Sequence, residues 1–191
     1  PDGKIVVAGQ FSNSSLGVMR YNPDGSLDLA FGEDGKLRIS SITSAAASGY
    51  DVLLQLDGKI VIVGEDGGNF AVWRINPNGS LDTEFSGDGI ALTDMPGVYD
   101  IGEAAILQKN NKIVVAGVSL NNEFVGDVAV ARYNPDGNLD SSFSEDGMLV
   151  TDIAGGDDSA YSIVLQPDGK IVVAGVTQVE TYRHFLVLRY K

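Results

Sequence analysis

"KIVVAG" occupies residues 4–9 and returns unchanged at 112–117 and 170–175, with a near copy, "KIVIVG", at 59–64. The four leading lysines, Lys4, Lys59, Lys112 and Lys170, are 55, 53 and 58 residues apart. A second stretch keeps the same beat. "RYNPDGSLDLAFGEDG" at 20–35 returns as "RINPNGSLDTEFSGDG" at 74–89 and "RYNPDGNLDSSFSEDG" at 132–147. Self-similarity at such a period marks one supersecondary unit used several times, and it takes precedence over the reading of single segments.

Each unit reads as strands joined by turns. "YSIVLQ" (161–166) is apolar and rich in β-branched residues, and "PDG" separates it from "KIVVAG". Apolar runs too short for a helix and bounded by turn residues are strands buried on both faces. "FAVWRI" (70–75) or "VAVARY" (128–133) follows, then "NPDG", in which Pro presets one turn angle and Gly relaxes another. An "LDxxF" segment and an Asp-Gly turn lead to a last strand, "IALTDM" (90–95) or "MLVTDI" (148–153). In the third unit Lys109, Asn110 and Asn111 replace the Pro-Asp-Gly turn, and Asn tolerates the left-handed backbone the turn needs. Four doubly buried strands per unit, with no helix longer than a turn, predict an all-β, β-propeller-type array of four-stranded blades. "KIVVAG" is expected as the second strand from the centre. The units run approximately 1–48, 49–98, 99–159 and 160–191, about three and a half to four blades in one repeat domain.

Composition narrows the function classes. Against 13 basic residues stand 26 acidic ones, a formal net charge of −13. That disfavours nucleic acid, whose phosphates demand clustered Lys and Arg, and anionic membrane surfaces. No apolar run approaches the length of a membrane span, so no membrane insertion is expected. Absence of cysteine excludes disulfides, thiolate metal sites and Cys nucleophiles.

The stretches "LQPDGKIVVAG", "ARYNPDGNLDSSF" and "DGMLVTD" resemble the delta-60 repeat, found in large bacterial proteins, many of them exported or at the cell surface. They are also similar, more distantly, to the NHL propeller repeat. The resemblance implies a propeller in an extracellular or cell-surface setting. It carries no catalytic residues over to this chain.

Candidate chemistry is sparse. His184 is the only histidine, and no G-x-S-x-G stretch accompanies it, so no catalytic residue is expected and the chain reads as non-enzymatic. The loops holding Asn22, Asp24 and Asp28, then Asn76 and Asp82, then Asn134, Asp136 and Asp140, space oxygens in a manner that invites calcium. An EF-hand places Gly at position six and Glu at twelve, whereas Gly25 stands fourth and Asn78 replaces the middle Asp of the second copy. Turn formation explains these residues, and no metal and no cofactor are expected. Trp73 with Phe70 offers a sugar-stacking face, yet Met19, Ala131 and Leu188 hold the Trp73 position elsewhere, which favours core packing.

Arg20, Arg74, Arg132 and Arg189 recur at intervals of 54, 58 and 57 on the third strand. A guanidinium between packed blades demands a partner. Asp28, Asp82 and Asp140 recur with it, while Asp94 and Asp152 are matched by Ser40, so the first three acids are the expected partners.

The expected function is a binding or scaffolding module of a bacterial secreted or cell-surface protein. A secreted lectin or other small-ligand binder is the alternative, and a hydrolase a distant third. Pro1, Asp2 and Gly3 read as a turn into the first hexamer, and the chain stops after a third strand at Lys191. Strands are therefore expected in sets of three, four, four and three. A partner is expected to be a protein or glycan, a second copy, or the rest of a longer parent chain.

Overall fold

The computed structural model describes residues 2–11 and 14–191; Pro1, expected in the opening turn, lies outside them. All regular structure is strand, and no described residue is helical. Among the described residues fourteen strands form four antiparallel sheets. The first holds β1 (Ile5–Phe11), β2 (Ser15–Tyr21) and β3 (Lys36–Ile39). The second holds β4 (Ala47–Leu54), β5 (Ile60–Asp66), β6 (Asn69–Ile75) and β7 (Ile90–Thr93). The third holds β8 (Tyr99–Leu107), β9 (Ile113–Leu120), β10 (Gly126–Tyr133) and β11 (Met148–Thr151). The fourth holds β12 (Ser159–Leu165), β13 (Ile171–Val179) and β14 (Tyr182–Tyr190).

Within each sheet the strands lie in chain order, the meander of a propeller blade. β4 packs on β8 and β8 on β12, so the first strands of successive blades meet along the inner side of the arc. The hexamer strand is second from that side in both four-stranded blades. The turn predicted at Asn111 forms: its φ is 61°, and Gln108 and Lys112 close it as Gln55 and Lys59 close the Gly58 turn.

Alternation decides what each hexamer residue touches, since successive side chains point to opposite faces of a strand. Ile60 and Ile62 join Leu16, Val18 and Trp73 in a core between the first two blades. Val61 and Val63 instead join Ile113 and Val115 between the second and third. Val114 and Ala116 pack with Ile171 and Val173 between the third and fourth. Both faces of the hexamer are therefore buried in the second and third blades, which is why it has no polar residue after its lysine.

The closing glycine of the hexamer has its own cause. The innermost strand of three blades shifts register, between Gly49 and Asp51, Gly102 and Ala104, and Ala160 and Ser162. Such a bulge pushes one carbonyl toward the neighbouring strand. A Cβ on Gly64, Gly117 or Gly175 would overlap the carbonyl oxygen of Ser48, Ile101 or Ser159 respectively. Gly9 belongs to the first blade, where β1 is the innermost strand, and a Cβ there would meet nothing within 4 Å.

Candidate functional site

The most regular polar constellation repeats in each of the first three blades. Arg20 on β2 donates from Nε to Asp28 Oδ2 at 2.6 Å, and Lys4 Nζ donates to the same oxygen at 2.6 Å. Arg74 and Lys59 share Asp82 Oδ2 at 2.5 and 2.9 Å. Arg132 and Lys112 share Asp140 Oδ2 at 2.6 Å each. The expected Arg–Asp pairs thus form in three blades, each with a lysine that the pairing argument had not included. Beneath each guanidinium lies the Phe of "LDxxF": Phe31, Phe85 and Phe143, with ring centres 4.5, 4.7 and 4.8 Å away. A cation over a ring face gains from the ring quadrupole.

Two cations hold the carboxylates ionised. Hydrogen bonding from Lys4, reinforced by Arg20 against the effect of burial, brings Asp28 down to about 2. Burial opposes the charge on Asp82 and Asp140, but the Lys and Arg donors, joined at Asp140 by the hydroxyl and N–H of Ser142, outweigh it and both sit below the usual carboxylate range.

The arginine also reaches the next blade. Arg20 Nη1 donates to the carbonyl of Pro77, and Arg74 Nη1 to that of Pro135. Gly32 N–H reaches Asn78 O at 2.9 Å, and Ser86 N–H reaches Asp136 O at 2.7 Å. At the opposite rim Ala47, Asp100 and Asp158 donate their N–H groups to the carbonyls of Ser14, Gly68 and Gly126. The first two seams are therefore stitched at both rims around an apolar core, and the third is stitched at the rim of Asp158. This constellation is a structural clasp, and it uses up the charges that might otherwise face a ligand.

The other candidates are dispersed. Asp24 Oδ1 accepts from Ser26 N–H and Oγ, and Asn22 Nδ2 donates to Ser26 Oγ and Leu27 O, so these loop groups are engaged in their own turn. Asp28 faces the clasp instead of that loop. Trp73 is buried in the first seam, away from any sugar-accessible face. His184 is exposed on β14, and among the described residues no acid or hydroxyl is hydrogen-bonded to it.

The surface that sequence reasoning left unlocated is the outer side of the fourth blade. The registers of β13–β14 and β9–β10 place Phe185 and Val187 where β10 has Val128 and Val130. Val128 and Val130 are fully buried on the following blade, whereas Phe185 is 98% and Val187 68% exposed. At the other end Ile5 and Val7 hold the places of Ile60 and Ile62, and they are 52% and 49% exposed where their counterparts are buried.

Meandering blades, a repeat-by-repeat clasp and doubly buried hexamer strands define a repeat protein of the β-propeller class. The family described as domain of unknown function (DUF5122) beta-propeller matches residues 1–31, 55–85, 108–143 and 166–191, and the chain belongs to it. The matched segments bracket the hexamers and the clasps. No functionally curated protein matches the chain.

Proposed function

We propose that this chain is a non-catalytic interaction module, built of delta-60-type repeats, whose partner at each end face is another blade of the same kind. The observation that carries this reading is the matching of the two uncovered faces to the internal seams. Phe185 and Val187 present what Phe70 and Val72, or Val128 and Val130, present to the next blade; Ile5 and Val7 present what Ile60 and Ile62 present to the preceding one. Three seams within the chain already show such faces meeting. Exposed contiguous apolar faces of this kind mark association sites, and burying each such side chain stabilises by about 1.5–3 kcal/mol. For the chain by itself the occupant is the first blade of a second copy, joined head to tail.

The exposed, unaccompanied His184 supports the non-catalytic reading, and buried Trp73 withdraws the feature that favoured a lectin. The resemblance to delta-60 repeats supports a bacterial secreted or cell-surface setting, which protease treatment of intact cells making the parent protein would test. For the interaction, sedimentation across a concentration series is decisive. Mass should rise with concentration in the unaltered chain and stay at one copy in a Phe185→Asp, Val187→Asp variant with an unchanged strand spectrum. A single-copy mass at every concentration, or association that survives the double variant, overturns the reading.

A further inference from the structure

Three aspartates come together at the third seam, far from the clasp. Asp127 lies on β10, Asp152 follows β11 directly, and Asp158 immediately precedes β12. One carboxylate oxygen from each lies within 4.8 Å of the other two. Two of the acids belong to the third blade and one to the fourth, so the group spans the junction. No ion pair among the described residues involves any of the three.

Asp158 supplies a second, independent observation. It is fully buried, and its Oδ1 has no hydrogen-bond partner. Its Oδ2 accepts the Ile153 N–H at 2.6 Å, which fixes the carboxylate and leaves Oδ1 over. Asp152 is held in the same manner, Oδ1 accepting the Gly155 N–H at 2.7 Å. A buried carboxylate oxygen without a donor, beside two more carboxylates, is costly unless a cation meets it. Burial, with Asp152 and Asp158 adding repulsion, holds Asp127 above the usual carboxylate range.

The other seams serve as internal comparisons. Strand registers place Asn69, Asp94 and Asp100 at the corresponding positions of the second seam, and Ser15, Ser40 and Ala47 at those of the first. Asn69 has an amide, whose Nδ2 donates to Asp66 O, where Asp127 has a carboxylate. Asp100 anchors its loop through the Met95 N–H and, like Asp158, is fully buried with an unpartnered Oδ1, so what sets the third seam apart is the carboxylate of Asp127 in place of the Asn69 amide. Only the third seam gathers three.

We propose that Asp127, Asp152 and Asp158 form a calcium site that joins the third and fourth blades. Carboxylate oxygens are the preferred ligands of hard divalent cations. Ligands on opposite sides of calcium, at about 2.4 Å each, are about 5 Å apart, whereas those of magnesium are about 4 Å apart. Water completes the shell on the exposed side at Asp152. Three carboxylates suit the affinity of extracellular modules, about 10⁻⁴ to 10⁻³ M. The site is independent of end-face association, because its ligands lie inside one chain.

The test uses the whole chain, freed of metal with a chelator and melted in calcium chloride, in magnesium chloride, and in sodium chloride of equal ionic strength. The sodium arm is needed because a chain this acidic is stabilised by any salt. With ~10 mM calcium the melting temperature should rise by about 5 °C beyond the sodium arm, and less with magnesium. Asp127→Asn and Asp152→Asn should abolish the rise, while Asp94→Asn at the second seam should keep it. Without calcium, Asp127→Asn should melt above the unaltered chain, since one like charge is gone; this readout holds the proposal to account even where binding is weak. Titration calorimetry should give one calcium per chain. No rise beyond the sodium arm, or a rise that persists in both third-seam variants, overturns the proposal.

Discussion

Asp82 shows how one residue can hold a blade. Its carboxylate receives both Arg74 and Lys59, and the arginine's other end grips the Pro135 carbonyl of the next blade. Removing one member of a buried ion pair strands the others in a poor solvent, at a cost of about 3–5 kcal/mol. Asp82→Ala strands the buried Arg74 and leaves Lys59 only the exposed Glu84 at 3.7 Å, and it should cost about 3 kcal/mol or more in urea unfolding. Lys59→Met removes only the more exposed cation and leaves the Arg74 bond, so its cost should stay under about 1 kcal/mol. Equal costs for the two substitutions would show that the arginine is not the anchor. The arginines and aspartates of this clasp were legible because they recur at one spacing and a buried guanidinium needs an acid. The lysine recurs just as faithfully, but at 23 to 28 residues from its aspartate its partner emerges only once the first two strands of the motif lie side by side.

At the scale of elements, the glycine that closes each hexamer is a spacer for a bulge in the strand beside it. Gly117→Ala sets a methyl against the Ile101 carbonyl, which the seams hold in place on both sides. Overpacking of this kind costs about 1–3 kcal/mol, and more where backbone must move. Gly9→Ala should be nearly neutral, because β1 is paired on one side only, with β2, and an added Cβ would meet nothing within 4 Å. Urea midpoints of the two variants, compared under one set of conditions, test the contrast, and a loss at Gly9 matching that at Gly117 would break it. The strands themselves were readable from apolar runs, β-branched residues and turn dipeptides, and the count of three, four, four and three follows from where those runs fall. The bulges were not readable, since they are set by contact between strands. The three aspartates of the third seam escaped for the same reason: Asp127 is 25 residues from Asp152 and meets it through the pairing of β10 with β11, and the blade junction adds Asp158.

For the whole molecule, each blade packs only on its neighbours, so stability is approximately a sum over blades and seams. The second and third blades have a seam on either side, whereas the first and fourth each have one. Opening an end blade breaks one seam and releases its own strands, whereas opening a middle blade breaks two. The hexamer amides of β5 and β9 should therefore exchange with solvent last, at the rate of global unfolding. Those of β1 and β14 should exchange first, because each is also an edge strand with one unpaired side. Mass-resolved hydrogen exchange on the dilute chain measures this order directly. Raising the concentration should then slow β1 and β14 together while leaving β5 and β9 unchanged, since head-to-tail association covers one face of each end at once. Slowing at one end alone would point to a different partner face, and uniform exchange across all four blades would mean that the array opens as one cooperative unit rather than blade by blade.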